Sequence, residues 1–271
     1  MLKRIQISRI YRFPVFVAIA FIAATACIRR PWVILLDLPT HQMSQTDRQW
    51  NQSRVRDILV RRLEIAGARR ATVELKDDTG LLVKLESNAE HLRIQSLLTQ
   101  RGRLEVRIAL DDQLVNPFIT ALASRGMTIA QFSDQLKNKS VDPNLIKLLP
   151  KGSLFIPTDE RKIVIVDGGP PLTGSMLEDV TFVREEGGGG VSMKWGPEGR
   201  QKLEQMTQSN IGKNLVFILD GTVLIMPVIR TTISDGYGMI EGKFTIDDLL
   251  YLTAILKAGE MPVQSRIVSV H

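Results

Sequence analysis

The dipeptide Asp220-Gly221 lies between the apolar run Val216-Phe217-Ile218-Leu219 and a second run over residues 222–226, and it constrains this chain's fold more than any other feature. A type I′ hairpin turn needs positive φ at both central residues, and Asp followed by Gly meets that demand. Two antiparallel strands are therefore expected to meet here. Pro227 marks the edge or end of the returning strand, because proline cannot donate to a ladder. Upstream, Pro197 suits the first turn of a helix. Leu203, Met206 and Ile211 give that helix an apolar side, and Gly212 is placed to stop it. Downstream, Thr245 is an expected N-cap with Asp247 and Asp248 in the first turn, where negative charge is favoured. Leu249, Leu252, Ile255 and Leu256 then form an apolar stripe. Residues 197–262 read as a compact αβ module in which Gly199, Gly212, Asp220, Gly221, Pro227, Gly242, Gly259 and Pro262 hold structural positions.

The first part of the globular chain alternates in a different order. Residues 32–38 are an apolar strand, and a helix from about Asp47 carries Val55, Ile58, Leu59, Leu63 and Ala66 on one face until Gly67. Residues 71–76 and 81–85 are strands around Asp77-Asp78-Thr79-Gly80. Ser87 and Glu90 form a capping-box pair opening a second helix, which Gly102 ends. Residues 103–109 supply a last strand. The order β-α-β-β-α-β is the ferredoxin-like split βαβ motif. Residues 117–124 and 128–139 read as helices of an insertion, residues 162–166 as a strand, and residues 264–270 as a final strand. The pairs Gly168-Gly169 and the run 187–190 read as flexible connections. The expected class is α+β, with two ferredoxin-like αβ modules.

Before these modules, Lys3, Arg4, Arg9 and Arg12 precede an uncharged run over residues 13–28, closed by Arg29 and Arg30. That is a basic region followed by an apolar one, as in a signal or anchor. The run is short against the roughly 20 residues of a membrane-spanning helix. Cys27, the only cysteine, follows Ala24-Thr25-Ala26, so a lipidated signal and an uncleaved single-pass anchor both stand. Either one leaves the remaining chain outside the cytoplasm. Four of the six excess positive charges precede Phe13, which leaves +2 for everything after it. A near-neutral remainder carries no electrostatic footprint for nucleic acid. Arg61-Arg62 and Arg69-Arg70 read as solvated charges.

Nothing in the pattern names a catalyst or a cofactor. His41, His91 and His271 lie far apart, and neither HExxH, CxxC nor GxSxG occurs. The Gly212-Lys213 and Gly242-Lys243 pairs lack the upstream glycine that would cradle phosphate. Asp220 has its explanation in the hairpin. No metal is expected.

The landmarks from Glu198-Gly199 through Ile211-Gly212-Lys213, Leu219-Asp220-Gly221 and Glu241-Gly242-Lys243-Phe244-Thr245 to Lys257-Ala258-Gly259-Glu260-Met261-Pro262 resemble the head of the first periplasmic domain of the SecD family. Leu36-Asp37-Leu38, Val60-Arg61-Arg62-Leu63 and Arg103-Leu104-Glu105-Val106-Arg107 are similar to its base, although Pro39-Thr40-His41 stands where the family usually has paired glycines. Leu172-Thr173-Gly174 resembles the entry to the head. The resemblance implies an anchor or signal over 1–30, a base over 31–110, an insertion and linker over 111–170, a head over 171–262, and a strand over 263–271 returning to the base. It further implies Sec translocon components or exported polypeptide as partners, with membrane lipid reached through the N-terminus. The sequence closes at His271, so the expectation is a stand-alone form that binds without a proton-driven motor of its own. An envelope lipoprotein, or an enzyme on a reused scaffold, is the alternative.

Overall fold

The computed structural model describes residues 32–86, 91–138, 140–158, 162–185, 188–242 and 244–271. Cys27, the apolar run 13–28, the Ser87/Glu90 pair, the His91 side chain, Gly187 and Lys243 lie outside what is described. The chain begins with β1 (Trp32–Asp37), α1 (Gln45–Ile65), β2 (Arg69–Leu75), β3 (Gly80–Glu86), α2 (His91–Thr99) and β4 (Leu104–Ile108). Then come α3 (Asp112–Ser124), α4 (Ile129–Lys137), α5 (Pro143–Ile146), β5 (Leu154–Pro157), β6 (Ile163–Val166) and β7 (Leu172–Thr173). The hairpin strands β8 (Leu177–Glu185) and β9 (Gly188–Trp195) lead to α6 (Pro197–Gln208), β10 (Leu215–Leu219) and β11 (Thr222–Ile225). The chain closes with β12 (Tyr237–Glu241), α7 (Ile246–Ala258) and β13 (Arg266–Val270). The class is α+β. Among the described residues, no helix is long and apolar enough to cross a membrane.

Two compact units share the chain. The first takes the chain up to Gly102 with residues 180–191 and 241–271; the second takes residues 103–179 and 192–240. In the first unit, an antiparallel sheet of order β13-β1-β3-β2 is covered by α1 and α2, with α7 packed against both helices. This is the ferredoxin-like strand order, but β13 occupies the fourth position. The strand over 103–109, expected there from the sequence, is instead β4 of the second unit's sheet, pairing with β10 from Leu104↔Leu219 to Ile108↔Leu215. Burial explains the exchange. Four of the five β4 residues are buried, whereas β13 alternates between exposed and half-buried. β13, whose residues are all exposed or half-buried, stands at a sheet edge, while β4 is enclosed between β10 and β7.

Ser44 caps α1 by accepting the Asp47 N–H at 3.2 Å, and Val55, Ile58, Leu59 and Leu63 face the core. Arg62 is also on that face, and this corrects its reading as a solvated charge: it is fully buried. Its guanidinium donates to the carbonyls of Leu97 (3.0 Å), Gln100, Arg101 (2.9 Å) and Gly259 (3.1 Å). Leu97 lies in the last turn of α2, Gln100 and Arg101 follow that helix, and Gly259 is the C-cap of α7. Helix C-termini present unpaired carbonyls with partial negative charge, so a cation satisfies both needs. Gly102 lies against the same guanidinium with φ +83, and a Cβ there would come within 2.5 Å of Arg62 Nη2.

In the second unit the sheet order is β11-β10-β4-β7, with all of β10 buried. The turn between β10 and β11 has φ 50 at Asp220 and φ 81 at Gly221, as the type I′ reading requires. Asp220 has a further task. Its carboxylate accepts the Arg103 N–H at 2.8 Å while its own N–H donates to the Arg103 carbonyl at 3.0 Å, tying the hairpin to the start of β4. A valine in place of Gly221 has to hold a left-handed conformation, so Gly221→Val is expected to cost more than about 1 kcal/mol of stability. Chemical denaturation measures this, and an unchanged midpoint would refute the turn geometry.

Three glycine or helix-end expectations change. Helix α6 ends at Gln208 with Ser209 as its C-cap, because the Thr207 hydroxyl donates to the Leu203 carbonyl and accepts the Ile233 N–H. Ile211 therefore leaves the helix and is 58% exposed, and Gly212 (φ 88) serves the following turn, donating to the Ile229 carbonyl. Gly188 to Gly190 are not a loose connection but residues of β9, where a Cβ on Gly189 would meet the Val183 carbonyl oxygen at 2.7 Å. Gly168-Gly169 is likewise packed. A Cβ on Gly168 would collide with the Gly152 backbone, and Arg107 donates to the Gly169 carbonyl at 2.7 Å.

Candidate apolar binding site

The segment between β4 and β6 builds its own small core. Thr128 and Gln131 form a reciprocal capping box that starts α4, and Asp142 caps α5 by accepting the Asn144 N–H at 2.8 Å. These caps aim the apolar faces of α3, α4 and α5 at the β5–β6 hairpin, burying Phe118, Leu122, Phe132, Leu145, Leu149 and Ile165 together. Three rings converge: Phe118 and Phe132 lie 5.0 Å apart edge to face, with Phe155 at 5.6 and 5.1 Å from them. Such tilted arrangements place the positive ring edge on a negative ring face.

A pocket of about 210 Å³ opens over these rings. Its wall is made by Val115, Phe118, Ile119, Phe132, Phe155 and Ile163, with Met226 contributing from beyond β11 and polar lining from Asp112 and Asn214. Ile119 is 38% and Met226 42% exposed. Partly open and lined by both apolar and polar groups, this surface can take an apolar side chain, and the Met226 thioether favours tolerant binding. Asp142 and Arg125, 2.7 Å apart, join the end of α3 to the start of α5. The Asn144 N–H and then Arg125 hold the Asp142 carboxyl below its ordinary value. A depressed carboxyl contributes stability that is present above the unfolded value near 3.8 and lost as pH falls through the folded one. Acid titration from pH 6 to below 4 should therefore weaken the wild-type chain more steeply than Asp142→Asn, as read from thermal midpoints. Parallel acid limbs would remove this role.

A second depression of about 380 Å³ beside α6 is lined by Glu178, Lys194, Trp195, Arg200, Glu204 and Asp235. Its charges are used internally: Lys194 pairs with Glu178 at 2.7 Å and Arg200 donates to the Ser234 carbonyl at 2.7 Å. Among the described residues, no group of three or more His, Cys, Asp or Glu could hold a metal ion.

The residues singled out from sequence do not converge on either place. Gly199 lies where a Cβ would meet Met176 at 3.0 Å and Trp195 at 3.2 Å, letting α6 approach closely. Asp220 and Gly221 serve the hairpin, and the Pro227 carbonyl accepts the Leu215 N–H at 2.8 Å. In the first unit, Gly259 offers its carbonyl to Arg62, Gly242 sits against Phe244, and Pro262 follows the buried Met261. Sequence reasoning missed Phe118, Phe132 and Phe155. The signals were an apolar spacing within α3 and α4 and the short apolar run of β5, which say nothing about one ring finding another.

Residues 148–263 match the family described as SecDF, P1 head subdomain. The chain is 30% identical over 220 residues to the protein translocase subunit SecDF of Thermus thermophilus, covering 80% of this chain and 27% of that one. It is 30% identical, again over 220 residues, to the protein translocase subunit SecD of Endomicrobium trichonymphae, covering 80% and 46%. The chain thus spans less than half the length of either relative. Among solved structures, SecDF in a super-membrane-facing form superposes with a TM-score of 0.60 at 26% identity, covering 89% of this chain and 30% of that one. A structure of SecDF described as a membrane component that enhances protein export gives 0.57 at 25% identity, covering 88% of this chain and 99% of that one.

Proposed function

The chain is a homologue of SecD and SecDF over four-fifths of its length, carrying their P1 head subdomain, and from that premise we propose that it serves protein translocation by holding exported polypeptide in an extended state. The observation that carries the reading is the partly open apolar pocket over Phe118, Phe132 and Phe155. An unfolded chain exposes apolar side chains that a folded one buries, so an apolar pocket distinguishes the two states. The apolar run over residues 13–28 holds the protein in the membrane, as an anchor or through Cys27, with the globular units on the outer side. Binding is weak, tolerant of sequence and only mildly salt-dependent, since the charge after Phe13 is +2.

Titration of the full chain in detergent micelles with a permanently unfolded exported protein tests this. Saturable binding is expected, and it should vanish when the same protein is folded. Ile119→Asp and Met226→Asp place a carboxylate at the mouth of the pocket and should each weaken binding about tenfold or more. Gln49→Asp, on the exposed face of α1, should leave it unchanged. Equal affinity in all three variants would reject the pocket as the binding site.

A further inference from the structure

We infer that the first unit rests on an anionic lipid surface through one end of its sheet, an inference that relies on residues 13–28 holding the chain in a bilayer. Residue 28 closes that apolar run, and β1 begins at Trp32. Four residues span at most roughly 14 Å. The leading end of β1 therefore cannot leave the neighbourhood of the lipid headgroups.

Strand register states what else lies at that end. The backbone of Val33 exchanges hydrogen bonds with His271, both at 2.9 Å, so the close of β13 stands beside the start of β1. Trp32 pairs with Leu85 and Glu86 with Arg69, which brings the close of β3 and the start of β2 into the same row. The row combines exposed apolar side chains, which water disfavours, with Arg70 and its neighbour Glu86. Val268 is 60% and Val270 42% exposed on an edge strand whose single charge, Arg266, is at its other end, paired with Asp37. Exposed edges facing water are usually guarded by charge. Arg70 takes a left-handed φ of 50 where the β2–β3 register is irregular, and its side chain is exposed beside Glu86 at 3.1 Å. Such an exposed pair is weak and leaves the guanidinium available to a phosphate.

The opposite end of the sheet carries Asp37 at the close of β1, Asp47 in the first turn of α1, and Asp77 and Asp78 in the β2–β3 turn, with Arg266 3.1 Å from Asp37, Arg48 4.0 Å from Asp78 and Lys76 next to Asp77. Those cations offset most of its acidic charge, so the orientation rests on the tether, and an anionic surface adds the attraction of the exposed Arg70. The strands of the first unit then stand away from the membrane, and the unit is held as a platform instead of tumbling on its leader.

The full chain is reconstituted into phosphatidylethanolamine vesicles with or without phosphatidylglycerol, carrying a photo-crosslinking amino acid at position 270 or, as control, at position 46. Flotation of the vesicles reports the tether separately. Lipid adducts are expected at position 270 and not at 46. In the anionic vesicles, Arg70→Gln should lower the adduct yield about fivefold, and in neutral vesicles it should change nothing. Floated protein with no more adduct at 270 than at 46 overturns the inference and leaves the tether standing. Protein that does not float removes the tether and the inference with it. Equal yields with and without phosphatidylglycerol overturn the anionic surface.

Discussion

Arg62→Met is expected to destabilise the first unit by about 3–5 kcal/mol, because four carbonyls lose a cationic donor at once and, of these, the Arg101 carbonyl keeps the Met261 N–H. The usual finding that a buried ion pair can be exchanged for packed apolar groups does not carry over. The acceptors here are backbone carbonyls at the ends of α2 and α7, and no substitution removes them. Each unsatisfied buried acceptor costs about 1–3 kcal/mol, lessened by whatever water enters. A loss of this size is a large share of the roughly 5–15 kcal/mol that holds a domain folded. Arg62→Lys keeps the charge but replaces a planar fork with a point donor, so it should recover only part of the loss. Urea denaturation followed by far-UV circular dichroism reads both variants. A midpoint for Arg62→Met within about 1 kcal/mol of wild type would show that the carbonyls find other partners.

Gly102→Ala is the second large effect. The left-handed φ of +83 strains any side chain, and the new Cβ would lie 2.5 Å from Arg62 Nη2 and 3.0 Å from Ile255. Strain and collision together should cost about 2–4 kcal/mol. The two contributions separate in a double-mutant cycle. With Arg62→Met already present, the collision is relieved and only the strain and the Ile255 contact remain. Gly102→Ala should therefore cost about 1–2 kcal/mol less in that background. Strict additivity would mean that the glycine is required by backbone conformation alone. The C-cap carbonyl of Gly259 belongs to the same node, so the landmark Ala258-Gly259-Glu260-Met261 has a physical role in holding the first unit together.

Much of the fold was legible in the residues. The Asp220-Gly221 hairpin, the Thr245 cap with Asp247 and Asp248 in the first turn, the strand near 264–270 and the helices α1 and α4 follow from local φ preferences and apolar spacing. The candidate pocket was not legible. Phe118, Phe132 and Phe155 come from three separate elements, and the segment that carries them departs most from the landmarks by which the chain resembles its relatives. Arg62 was misread because an arginine in a helix is usually solvated, and its carbonyl partners lie 35 to 197 residues away.

What the sequence determined by itself is therefore every feature whose energetics close within a few residues: turns, caps, helix faces and strand alternation. Only the tertiary structure decided which sheet would take each strand. Residues 103–109 and 264–270 are both acceptable fourth strands for a ferredoxin-like sheet. The choice turned on β10, more than a hundred residues beyond β4, which offered it a central position with both faces covered. Pairing energy of that kind is shared between distant segments, and a chain read one window at a time contains only half of each pair.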